Sequence, residues 1–345
     1  MTASATPEDG TPSVPASYPR FAAQPYQPDG GISGLSAAML ILVLLLAGAA
    51  LGYAVHWVRQ FFYLILLFPI LIGVAMGAIG SIIARKAMIR SPLIGGIAGF
   101  IGGVAAMWMM HYFGFQDYKA LVDRADPDAR QVARLPAAER EQAIAQSPNP
   151  AEAREILDAL AVQTFPQYMD YKAQQGVSIK SSHNFSSNDK GLNLGYVGSY
   201  IYWGIEVLIV AGITFAMVRA QTREPFCTNC NRWKAWRRLG QFAGPPQRAL
   251  EGVVNGDVNA IAAAQPGALS GRLALWIADC DCGRSSAELK LELTEVDKKN
   301  HSAKRVLAIS SWQGEAAPVL GELFVYRSPN LSNAAPAQPD APPAT

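Results

Sequence analysis

Four apolar runs dominate this chain: residues 34–55, 61–84 and 93–113 carry no acidic side chain, lysine or arginine, and residues 198–218 carry only Glu206. A helix rises 1.5 Å per residue, so each run is about long enough to cross a hydrocarbon core of roughly 30 Å. The expected fold class is a multi-pass α-helical membrane protein with four transmembrane helices, and the soluble segments are read around them. Arg20 is the only basic residue ahead of the first run. That is a poor leader for a cleaved secretory signal, so the run is expected to stay as the first helix.

Short loops rich in lysine and arginine resist translocation. Arg85, Lys86 and Arg90 join the second and third runs without an acidic neighbour, and Arg219 and Arg223 follow the fourth. Both clusters give one orientation. The amino and carboxy termini are expected on the cytoplasmic side of a cell (inner) membrane, with residues 114–195 outside. Tyr196, Tyr200, Tyr202 and Trp203, at the start of the fourth run, suit the opposite interface.

Residues 1–32 and 328–345 are rich in Pro, Ala, Ser and Thr and are expected to be flexible tails. Segment 114–195 mixes charges of both signs and is expected to be mostly helical. Asp126-Pro127 and Asn149-Pro150 each read as an N-cap followed by proline at the first helical position, with Glu152 closing a capping box. Ala153, Ile156, Leu157, Leu160 and Ala161 then make an apolar face. From 176 to 191 the sequence is polar and turn-rich; Asn184-Phe-Ser186 there and Asn330-Leu-Ser332 near the end match the glycosylation acceptor pattern.

Residues 221–326 read as an α+β domain. Strands are expected at 272–278, 287–294 and 305–311, in an antiparallel meander because the links are short. In the middle strand Leu289, Leu291 and Leu293 alternate with Glu288, Lys290 and Glu292. Residues 246–264 read as short helices with a turn at Asn255-Gly256. All four cysteines fall here, as Cys227-Thr-Asn-Cys230 and Cys280-Asp-Cys282. A C-x-x-C turn aims two thiolates at one point, and residues two apart at a strand end project to one face. Four converging sulfurs suit a tetrahedral structural zinc in a zinc-ribbon-like domain; a redox C-x-x-C and unliganded thiols are the rival readings.

Arg219, Arg223, Arg232, Lys234, Arg237 and Arg238, interspersed with Trp233 and Trp236, follow the fourth run and are expected to meet anionic lipid headgroups. Formal charge is only +2, so no global basic field argues for nucleic acid, and none is expected as a partner. Gly48 and Gly52, Gly73 and Gly77, and Gly95, Gly99 and Gly103 recur at four-residue spacing, which lets helix backbones approach closely. Packing within the chain is the first reading and homo-oligomerisation the second. Glu206 lies about one turn inside the aromatic belt, where it is expected to reach water or a headgroup; a pairing with His56 or His111, which end the first and third helices at the same level, is the alternative and would make a proton or ligand site.

No acid, base and nucleophile converge, and no phosphate-cradling glycine loop precedes a helix, so enzymatic activity is not expected. The leading expectation is a membrane anchor or assembly scaffold whose zinc-clipped cytoplasmic domain binds a protein partner. The rival is a subunit of a transporter or channel that uses Glu206 and the glycine-rich hairpin of the second and third helices.

Overall fold

The computed structural model describes residues 17–31, 34–59, 67–179, 192–242, 246–264, 272–282, 285–296 and 302–326. Expectations for residues 61–66, for the stretch 180–191 with Asn184, and for the outer parts of both tails, including Asn330, lie outside the described residues. The chain forms two compact units: Gly30–Arg223, and Met1–Asp29 together with Glu224–Thr345.

Strand β1 (Ala23–Pro25) precedes the four long helices, α1 (Gly34–Arg59), α2 (Leu67–Lys86), α3 (Pro92–Arg124) and α8 (Gly195–Gln221). These contain 26, 20, 33 and 27 residues, or at least roughly 30 Å of helix each. All four are apolar enough to cross a membrane. Their outward faces carry exposed Leu42, Leu46, Ile82, Trp108, Ile201 and Leu208, whereas a helix facing water keeps a polar face. Helix α3 runs well past residue 113, where the sequence placed its end. No proline interrupts the chain between Pro92 and Pro127, and Phe115 and Val122 on the extension are buried, so nothing stops the helix earlier.

Helix α3 packs against α1 and α8, and α2 packs against α8. Every glycine singled out in the sequence lies at one of these contacts. Gly48 and Gly52 face α3, while Gly73 and Gly77 on α2 and Gly95, Gly99 and Gly103 on α3 face α8 or the turn following it. A Cβ on Gly103 would sit 2.7 Å from Ala211 Cα, and one on Gly52 2.7 Å from the Ala106 carbonyl oxygen. Backbone cannot swing aside as a side chain can, so Gly103→Leu is expected to cost about 1–3 kcal/mol, or more, through overpacking. Gly212→Leu, where a Cβ meets nothing within 4 Å, is the neutral control. Thermal unfolding in detergent checks both, and equal midpoints for the two variants would contradict this packing. Thr214 adds a polar tie, donating to the carbonyls of Val210 (2.8 Å) and Gly73 (3.3 Å).

Between α3 and α8 lie α4 (Pro127–Ala133), α5 (Ala137–Ala145), α6 (Pro150–Leu160), α7 (Phe165–Gln175) and the short pair β2 (Ser178–Ile179) and β3 (Leu192–Asn193). Asp126 caps α4 through the Asp128 N–H (2.9 Å). Asn149 caps α6, and the reciprocal bond to Glu152 comes from the Asn149 side chain rather than its backbone. Val122, Ala133, Ile144, Leu157 and Leu160 make a small core. Ile156, assigned to that face from its spacing, is exposed: α6 is short and turns only a narrow stripe inward.

The second unit is a five-stranded antiparallel sheet in the order β1-β9-β8-β7-β6. It is built from β6 (Trp236–Phe242), β7 (Leu273–Ala278), β8 (Ala287–Val296) and β9 (Ser302–Trp312), preceded by the short pair β4 (Phe226–Cys227) and β5 (Arg232–Trp233). Leu273, Leu275 and Ile277 on β7, Leu289 and Leu291 on β8, and Trp312 on β9 point into one core, as period-two alternation requires. Helices α9 (Pro246–Asn255), α10 (Val258–Ala263) and α11 (Ala316–Tyr326) add Val253, Ile261, Leu320, Leu323 and Phe324 to that core. Gly256 has φ +70°, the left-handed turn expected after Asn255.

The expectation of a flexible tail over residues 1–32 is corrected for 17–31. Ala23, Gln24 and Pro25 pair with Trp312, Ser311 and Ser310. Phe21 stacks on Trp312 with centroids 5.6 Å apart, Tyr18 accepts from and donates to Asn259, and Arg20 pairs with Asp257 at 3.0 Å. Composition predicted disorder because the segment has no core of its own; its few aromatics complete one built by residues more than two hundred positions away. Pro25 sits in this edge strand, where proline is tolerated, and the Tyr26 N–H carries the pairing one step further to the Ile309 carbonyl (3.1 Å).

Candidate functional site

The four cysteines are carried by two loops. Cys227 ends β4 and Cys230 sits in the turn to β5, where Asn231 adopts φ +54°. Asparagine tolerates this left-handed position, and the reversal lets the Cys230 N–H bond the Cys227 sulfur. Cys280 and Cys282 follow directly on β7, and there the Cys282 N–H bonds the Cys280 sulfur. The stretch between the two pairs, too long for a bare ribbon, holds β5, β6, α9, α10 and β7 among its described residues. Strands β6 and β7 are antiparallel neighbours, with Trp236 opposite Ala278, so the sheet brings the two loops together at one end.

The four Sγ atoms lie within 4.8 Å of one another, and Cys227 and Cys282 are 3.7 Å apart. Four sulfurs about 2.3 Å from one zinc ion are separated by roughly 3.8 Å along each tetrahedral edge. The cluster can therefore hold one metal ion, and its all-thiol chemistry suits a soft or borderline cation. Cys227 is buried, the other three partly so. Burial pushes the Cys227 thiol up, but the hydrogen bond from the Cys230 N–H helps bring it below its ordinary value. Hydrogen bonding to Cys282, then to Cys280, pushes Cys230 up to about 12. The hydrogen bond from the Cys282 N–H lowers Cys280, but burial and hydrogen bonding to Cys227 leave it raised as well; protons thus stay with the metal-free set, and an ion displaces them on binding.

Lys234 ties the two cysteine loops together. Its Nζ donates to both Glu288 carboxylate oxygens (2.8 and 3.0 Å) and to the Ser286 carbonyl (2.7 Å). Its backbone N–H donates to the Pro225 carbonyl (2.9 Å). The two charged side chains are 2% and 5% exposed. Lys234 is therefore not lipid-facing, which corrects its assignment to the headgroup cluster. Its three ammonium donors are all used inside the domain. Removing one partner strands a buried charge, and Lys234→Met is expected to destabilise the domain by about 3–5 kcal/mol. A double change, Lys234→Met with Glu288→Leu, should recover most of that loss. Denaturant melts check this, and additive losses would contradict it.

Among the other basic residues, Arg237 pairs with Asp279 (3.0 Å); that bond first, with the attraction of its charge, holds the Asp279 carboxyl below its ordinary range. Arg219 lies over the Phe215 ring at 5.6 Å, and Arg232 and Arg238 are exposed. The tryptophan faces are occupied: Trp233 packs edge-on against Phe226, and Lys290 lies 4.8 Å from the Trp236 ring and 5.1 Å from that of Trp276.

In the helical unit, Glu206 is 2% exposed and accepts from the Tyr202 hydroxyl at 2.7 Å. The expectation that it reaches water is corrected: the residue faces the bundle. His56 is engaged by Asp117, Nε2 to Oδ2 2.7 Å, and His111 lies edge-on to Trp203 at 5.7 Å. Asp117 escaped the sequence reading because it was placed beyond the end of the third helix, whereas α3 carries it past residue 113. Glu288 was legible as an outward residue of an alternating strand; nothing in the sequence pairs it with Lys234. Compared with known proteins, the chain matches no family model, no curated protein and no solved structure.

Proposed function

We propose that the chain is an integral protein of a cell (inner) membrane that anchors a zinc-clipped cytoplasmic domain for a protein partner. The observation that carries the reading is the pairing of β1 with β9. One strand precedes all four apolar helices and the other follows them, so both must lie on the same side of any membrane the helices cross. Four crossings, an even number, satisfy that condition, and one or three would not. Arg85, Lys86, Arg90, Arg219 and Arg223 lie at the helix ends on that same side, which the charge rule makes cytoplasmic. The exposed Arg232 and Arg238, with Arg219 and Arg223, suit anionic headgroups there.

Zinc is the metal the thiol set favours. Four protein sulfurs leave no open position for a substrate, so the ion is structural, and a reducing cytoplasm keeps the thiols available. The role as anchor or assembly scaffold is tested by affinity capture from solubilised membranes. A stoichiometric protein partner is expected with the wild type and lost with Cys227→Ser; a bare protein under complex-preserving conditions would end the reading.

A second reading, a transporter or channel subunit, draws on the burial of Glu206, because a carboxyl kept inside an apolar bundle is costly and commonly functional. The glycine-rich faces of α2 and α3 are filled by α8 and speak against a pore along that hairpin. Glu206→Gln is expected to leave stability nearly unchanged, since the amide oxygen still accepts from Tyr202. A loss of ion or proton flux in vesicles made with this variant would favour the second reading over the first.

A further inference from the structure

We infer that the helical unit binds a hydrocarbon chain of a membrane lipid in a cavity between α3, α7 and α8, an inference that rests on the membrane reading above. The cavity measures about 260 Å3, and Met107 and Trp108 of α3, Phe165 and Met169 of α7, and Trp203 and Gly204 of α8 form much of its wall. Among the described residues no acid, lysine or arginine lines it, and His111 is the one imidazole in an otherwise largely apolar and aromatic wall.

The walls are propped open by rings held against one another. Trp108 meets Phe165 at 4.8 Å and Trp203 meets Tyr200 at 5.4 Å. At Gly204 a Cβ would meet nothing within 4 Å, so the α8 side of the cavity is open space. Water gains few hydrogen bonds in such a lining, and an apolar void left unfilled forfeits dispersion contacts. A chain of methylenes satisfies both conditions.

The route of entry points to the same guest. Trp108 and Tyr200 line the cavity and are 58% and 42% exposed. Neighbouring Ile201 and Leu208 are exposed as well, so the cavity is continuous with the apolar outer surface that the membrane reading turns toward lipid. One turn before Tyr200, the Tyr196 hydroxyl bonds Asp170 of α7 at 2.5 Å. Polar groups resume at that level, where the headgroup of a lipid with one chain in the cavity would remain.

A fatty acid carrying a diazirine near its methyl end, activated in membranes containing the full chain, tests the site. Label is expected on the segments holding Met107 and Met169, and Gly204→Phe, which fills the cavity, should reduce it at least tenfold. Label on the exposed face of α1, at Leu42 and Leu46, should be unchanged. Met169→Trp fills the same space from α7, and its readout at Met107 serves if Gly204→Phe does not fold. Cavity label unaffected by either variant, or absent while α1 is labelled, would overturn the inference. Absence of label from α1 as well would overturn the membrane reading, and the lipid site with it.

Discussion

Cys227→Ser is expected to remove metal from the purified protein altogether, from one zinc per chain to none, and to leave the carboxy-terminal domain open to protease at ambient temperature. Cys227 is the buried member of the set and ends the strand that carries the C-x-x-C turn. Its loss leaves three thiols for an ion that needs four. Structural zinc contributes about 10–16 kcal/mol of apparent binding energy in zinc-finger peptides. The core behind this site is larger, with Trp312, Leu275, Ile277, Leu289 and Leu291 fully buried, so the sheet is expected to survive partly while the two cysteine loops come apart. A strong chelator should reproduce the effect. Protons compete for the same sulfurs, so metal is expected to be released as pH falls. Metal analysis alongside limited proteolysis checks this, and a Cys227→Ser protein with unaltered metal content would refute the site.

Trp312→Ala is expected to cost the domain about 3–5 kcal/mol, lowering its melting temperature by on the order of 15 °C or more. Trp312 is fully buried, stacks on Phe21 and donates its Nε1–H to the Val253 carbonyl at 2.9 Å. Removing it opens a large cavity, strands a buried carbonyl and withdraws the platform on which the amino-terminal segment rests. Trypsin should then cut after Arg20 faster than in the wild type. Phe21→Ala should reproduce the faster cleavage with a smaller thermal loss, because Phe21 is only partly buried at the edge of the core. Unchanged cleavage in both variants would show that the segment is not held by this stack.

The long helices were legible because length and apolarity decide them locally; their ends were not. Helix α3 outran its apolar run because no proline stops it over residues 114–124 and Phe115 and Val122 there are buried, a feature weaker than a transmembrane signal. Strands β7, β8 and β9 announced themselves by alternation. Strand β6 did not, since Trp236, Arg237 and Arg238 read as an anchor rather than as an edge strand.

The cysteine cluster was legible from spacing alone, whereas its support was not. Lys234 looks like its basic neighbours in sequence and differs only in meeting Glu288 across the fold. The amino-terminal strand was hidden for a related reason. Tyr18, Phe21 and Tyr26 are too few to make a core, and the edge of β9 together with the turn from α9 into α10 gives them a place to dock. In each of these cases a short-range pattern was overridden by a partner far away in the chain.

Cysteines introduced singly at Ala138 on α5 and Ala303 on β9, both exposed positions, report sidedness most directly through an impermeant maleimide. Ala138→Cys should react in intact cells and Ala303→Cys only after the membrane is opened. Reaction of Ala303→Cys in intact cells, with Ala138→Cys protected, would reverse the orientation and remove the reducing compartment from the metal cluster.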